Sequence, residues 1–81
     1  MVYKTFGTCS REINFEVVDN KLTNVSFLGG CNGNLQGISK LVEGIDIDEV
    51  IARVEGIKCD ARQTSCPDQL AKALKQFKTE N

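Results

Sequence analysis

Residues 11–30 read Arg-Glu-Ile-Asn-Phe-Glu-Val-Val-Asp-Asn-Lys-Leu-Thr-Asn-Val-Ser-Phe-Leu-Gly-Gly, and this stretch decides the fold. Ile13, Phe15 and Val17 alternate with Glu12, Asn14 and Glu16, the period of a strand with one face buried. Asp19-Asn20-Lys21 follows as a tight turn, because Asn and Asp tolerate positive φ. Thr23, Val25 and Phe27 then alternate with Asn24 and Ser26, so a second strand returns antiparallel and ends at Gly29-Gly30. Upstream, Val2 to Phe6 reads as a short additional strand.

Downstream of the hairpin the period becomes helical. Leu35, Ile38, Leu41 and Val42 are placed on one face, Asn34 or Asn32 caps the start, and Gly44 stops the helix. The next helix has Asp46 as its cap, with Glu49 completing a capping box. Ile47, Val50, Ile51 and Val54 supply its apolar stripe, and Gly56 ends it. A connector over 57–64 carries Cys59. The last helix opens at Ser65-Cys66-Pro67-Asp68, with Pro in the first turn and an acid at the positive end of the dipole. Leu70, Ala73, Leu74 and Phe77 form its buried face, and Lys72, Lys75 and Lys78 are expected in solvent.

Strands first and helices second predict an α+β fold: a small antiparallel three-stranded sheet followed by three helices packed on one face. Its 81 residues make one domain over 1–81 with a single small core. The exposed sheet edges leave room for a homodimer. A net charge of −1 from 10 basic and 11 acidic residues gives no electrostatic footprint for nucleic acid. The opening Met-Val-Tyr-Lys-Thr-Phe-Gly has no apolar stretch fit for a signal peptide or membrane span. The expected compartment is the cytoplasm, where thiols stay reduced.

The chain has four cysteines and no histidine. Each cysteine sits beside a turn signal or helix start. Cys9 follows Gly7, Cys31 lies within Gly29-Gly30-Cys31-Asn32-Gly33, Cys59 follows the Gly-ended helix, and Cys66 precedes Pro67. None of their spacings is the C-x₂-C of a zinc ribbon, so convergence has to come from the fold. The antiparallel hairpin sets the start of one strand beside the end of the next, which brings Cys9 near Cys31. The mouth of the last helix brings Cys66, and the connector lets Cys59 reach the same point. A helix N-terminus carries about half a positive charge and favours thiolate, the form metals bind.

A Cys₄ set suits Zn²⁺ in a closed structural site or an iron–sulfur centre. An open catalytic zinc would need Asp60 or Asp68, and the absence of histidine excludes a Ser/His/Asp triad. Ser65 and Asp68 are the residues that fix the helix presenting Cys66. A different reading uses Gly29, Gly30, Gly33 and Asn34 to cradle the phosphate of a flavin or nucleotide. That loop lacks both the G-x-G-x-x-G and the Walker patterns.

Thr64-Ser65-Cys66-Pro67-Asp68 spells T-S-C-P-D, and this string with Gly29-Gly30-Cys31-Asn32-Gly33-Asn34 resembles the TSCPD-domain family over nearly the whole chain. That family occurs as free-standing small proteins and as the C-terminal extension of adenosylcobalamin-dependent ribonucleotide reductases. The resemblance implies a metal held by Cys9, Cys31, Cys59 and Cys66, and a partner engaged in ribonucleotide reduction. It equally admits a thiol redox accessory without metal, with Cys66 attacking and Cys59 resolving. The layout is also similar to iron–sulfur cluster assembly scaffolds, whose three cluster cysteines look like Cys9, Cys31 and Cys66. Arg11 stands where those scaffolds have Asp, Ser65 where they have His, and Cys59 has no counterpart there.

Overall fold

The computed structural model describes residues 1–8, 10–29, 32–58 and 63–80, with Asn32 described for its backbone only. Cys9, Gly30, Cys31, Cys59 and residues 60–62 and 81 lie outside the described residues. Six elements follow in order: β1 (Val2–Lys4), β2 (Ser10–Val18), β3 (Lys21–Gly29), α1 (Asn32–Val42), α2 (Ile47–Val54) and α3 (Cys66–Glu80). The three strands form one antiparallel sheet in the order β1-β2-β3. The architecture is the expected α+β layout of sheet then helices.

Asp19 and Asn20 both take positive φ, 51° and 64°, and Val18 pairs with Lys21 across them. Positive φ at both central residues is what a two-residue type I′ turn requires, and its twist matches that of the flanking strands. Along β2, Ile13 and Phe15 point inward and are buried, as the alternation predicts.

Two irregularities change the simple alternation. On β3 the pairing jumps from Thr23 opposite Glu16 to Ser26 opposite Asn14, with Asn24 at φ +53°. This is a β-bulge, one extra residue on one strand, and it shifts the inward positions by one. Leu22 is therefore fully buried opposite Val17, while Thr23 pairs with the outward-facing Glu16. The expectation that Thr23 faces the core is corrected on that ground. On β2 a second shift falls between Ser10 and Glu12, and it turns Ser10 inward.

The core lies between the sheet and the helices. Ile13, Phe15, Leu22 and Val25 of the sheet pack with Val42, Ile47, Val50, Leu70, Ala73 and Leu74 of the helical layer. Phe77 meets Phe15 edge-to-face at a ring separation of 6.3 Å. Each fully buried large side chain contributes roughly 1.5–3 kcal/mol. On α1 the periodicity places Leu35 and Val42 inward, both buried, but Leu41 is 76% exposed. Leu41 lies about 120° round the helix from Leu35 at 100° per residue, so it falls off the face where the sequence reading placed it.

The helix ends also refine the reading. α1 begins at Asn32, so Asn34 lies inside its first turn and is not the cap. Asp46 caps α2 by accepting the Asp48 N–H at 2.9 Å, but Glu49 turns toward Arg53 rather than closing a capping box. Lys72, Lys75 and Lys78 are solvent-facing yet paired, with Asp68, Glu55 and Asp48 respectively. The last two pairs join α3 to α2 and its end. Among the described residues no helix is long and apolar enough to cross a membrane.

Candidate functional site

The Thr64–Asp68 string is the start of α3, and four of its five side chains make specific hydrogen bonds. Ser65 is buried and acts as the N-cap. Its hydroxyl accepts the Asp68 N–H at 3.2 Å, and its carbonyl accepts the Gln69 N–H at 2.8 Å. The same hydroxyl donates to the Ile57 carbonyl at 2.6 Å. Ser65 therefore fixes both the helix start and the chain entering it. Pro67 sits in the first turn, where no intrahelical N–H is needed.

Asp68 is 2% exposed, and its carboxylate gathers three donors. These are the Gly56 N–H at 2.7 Å, the Lys72 ammonium at 2.9 Å, and the Thr64 hydroxyl. Burial pushes the carboxyl up, but the bonds from Thr64, Gly56 and Lys72 together outweigh it and hold Asp68 below its ordinary value. The sequence reading made Asp68 a support for the helix, and its observed bonds extend that support to the end of α2. Thr64 also accepts from the Gln69 amide at 3.0 Å, and Gln69 in turn accepts the Phe6 N–H at 3.1 Å. The segment after β1 is thereby held against the mouth of α3. Gly7, at φ +71°, comes so near that a Cβ there would lie 3.2 Å from the Thr64 methyl.

Cys66 is 6% exposed and turned toward the start of β2. Its sulfur lies 3.1 Å from the Ser10 hydroxyl, itself 3% exposed. Ser10 pairs in register with Gly29, the last residue of β3. Thr8 reaches back to Ser10 from the preceding loop, with its hydroxyl 3.2 Å from the Ser10 hydroxyl. The Ser10 carbonyl accepts from Thr5 at 2.5 Å. Among the described residues no buried side-chain N or O lacks a hydrogen-bond partner.

Ser10 is the residue that sequence reasoning missed. Strict alternation from Ile13 assigns residue 10 to the outer face, and only the bulge after it reverses that. Its position beside Cys9 was the sole available signal.

Cys9, Cys31 and Cys59 lie outside the described residues, as does Gly30. Gly29 closes β3 at φ +83°, while Gly33 and Asn34 belong to α1 and are exposed. Gly29 is thus a strand end, and Gly33 and Asn34 lie in the first turn of a helix. Among the described residues no three Cys, Asp or Glu side chains form a metal-ligand group, and three of the four cysteines fall outside that set.

No curated protein and no solved structure matches the chain significantly. The family model of the TSCPD domain matches residues 1–78. That span includes both the sheet and all but the last residues of α3. The chain belongs to the TSCPD-domain family.

Proposed function

We propose that Cys9, Cys31, Cys59 and Cys66 hold one metal centre at the end of the domain where β2 begins, β3 ends and α3 starts. The observation that carries this is the contact of Ser10 with Cys66, made while Ser10 pairs with Gly29. Chain connectivity extends the argument. In sequence Cys9 adjoins Ser10, and Cys31 follows Gly29 by two residues. Cys59 likewise follows by two residues Ile57, whose carbonyl is bonded to Ser65. Each of the other three cysteines is thus tethered within two residues of a group fastened at or beside Cys66.

Four thiolates and no histidine suit a closed tetrahedral site, which takes Zn²⁺ or an iron–sulfur centre. A closed set leaves no open position for substrate, so the centre staples the fold and shapes a surface for a partner. A module of 81 residues has a small core, and such a staple adds directly to its folding free energy. The family's occurrence at the C-terminus of adenosylcobalamin-dependent ribonucleotide reductases makes a reductase-type protein the proposed partner. Burial of Cys66 weighs against the metal-free alternative, since a thiol only 6% exposed offers little access to an attacked disulfide. The flavin or nucleotide reading has less support, because the segment lacks both the G-x-G-x-x-G and the Walker patterns.

Elemental analysis and native mass spectrometry of protein purified without air test the proposal. About one zinc, or an iron–sulfur centre with its visible absorption, is expected per chain, and lost on replacing any one cysteine by serine. Substoichiometric zinc and iron in fresh protein would overturn it.

A further inference from the structure

We infer that Ser10 is a positioning residue for the Cys66 sulfur, donating its hydroxyl proton to the thiolate, with Thr8 as the next link. This rests on the metal site proposed above. A metal-bound thiolate carries no proton, so in a contact of 3.1 Å between Ser10 and Cys66 the hydroxyl must donate. Both groups are more than nine-tenths buried, so water does not compete for the bond and its direction is set by the protein.

The surroundings are built for that orientation. The Ser10 carbonyl accepts from Thr5 at 2.5 Å and from Thr8 at 3.2 Å, and the Thr8 hydroxyl also lies 3.2 Å from the Ser10 hydroxyl. A chain of hydroxyls then runs from Thr8 through Ser10 to Cys66. The β-bulge between Ser10 and Glu12 is what aims this hydroxyl at the sulfur. A regular strand would point it to the opposite face of the sheet. Bulges re-aim single side chains beside functional sites, and hydrogen bonds to a ligating atom tune metal affinity.

The test compares wild type, Ser10→Ala and Ser10→Thr as full chains. Zn²⁺ affinity is read by chelator competition, and thiolate-to-metal charge transfer by the spectrum of the Co²⁺ form. Ser10→Ala is expected to lose about tenfold to a hundredfold in affinity and to shift the charge-transfer band. Ser10→Thr, which keeps the hydroxyl, is expected to restore both. Wild-type protein loaded with NMR-active cadmium supplies a readout that needs no variant: a slowly exchanging Ser10 hydroxyl proton coupled to the metal through sulfur. Wild type that binds Zn²⁺ stoichiometrically, with Ser10→Ala unchanged in affinity and spectrum, would overturn this inference alone. So would a cadmium form without the coupled proton. Wild type that takes up neither Zn²⁺ nor Co²⁺ would overturn the metal site and this inference together.

Discussion

The Asp68 carboxylate accepts the Gly56 backbone N–H at 2.7 Å, so the first turn of α3 holds the end of α2. Because its bonds keep the folded-state pKa below the unfolded one, Asp68 stabilises the fold fully above about pH 4. That contribution disappears as pH falls through the folded value. Asp68→Asn is expected to cost about 1–3 kcal/mol at neutral pH. In urea melts taken from pH 7 downward, the gap between the two proteins should narrow below pH 4. A gap that stays constant in acid would contradict the charge-based account.

Gly7 and Thr64 approach at the seam between the N-terminal segment and the mouth of α3. Gly7→Ala places a Cβ at φ +71° and against the Thr64 methyl, at a cost of about 1–2 kcal/mol for the left-handed backbone alone. Adding Thr64→Ser removes the methyl and should recover only the steric part. Chemical denaturation of the single and double variants separates the two contributions.

Ser65 makes two different bonds through one hydroxyl, and substitution can separate them. Ser65→Ala loses the cap and the tie to Ile57, with an expected cost of about 1–3 kcal/mol. Ser65→Asp keeps an acceptor for the Asp68 N–H but cannot donate to the Ile57 carbonyl. It should therefore melt between wild type and Ser65→Ala. Hydrogen exchange near Ile57 should rise in both variants, and equal protection in all three proteins would argue against the tie.

The bulge at Asn24 is a fourth local device with a measurable cost. Asn24→Val forces a β-branched side chain into φ +53° and should destabilise by roughly 1–2 kcal/mol. Asn24→Gly suits that backbone and should stay within about 1 kcal/mol of wild type. Thermal melts distinguish these outcomes. A tolerated valine would mean that the strand slides to a regular pairing.

What was legible in the sequence follows the physics of each element. The Asp19-Asn20 turn, the Ile13–Phe15 face and the Asp46 cap depend on neighbours a few residues away, so local pattern reveals them. Ser10 and Leu22 were not legible, because a bulge is settled by what packs across the sheet, and alternation counts past it. Leu41 was assigned inward because it is apolar, although the helical angle from Leu35 already placed it outside. Lys75 and Lys78 read as solvated, since their partners Glu55 and Asp48 lie outside α3. Within the candidate site, the T-S-C-P-D string marked the helix start, but only the fold shows that Asp68 reaches Gly56.

Thr64, Ser65 and Asp68 direct their polar atoms to backbone groups, to one another and to the side chains of Gln69 and Lys72, whereas Cys66 faces a hydroxyl across the sheet end. The helix scaffold and the sulfur are therefore carried by different letters of the same signature. A Cys66→Ala protein should keep the hydrogen bonds that open α3 while losing the metal and the stability it adds, which separates the helix start from the staple. Signature members lacking that one letter would be expected to retain the helix start and to draw their remaining stability from the apolar core alone.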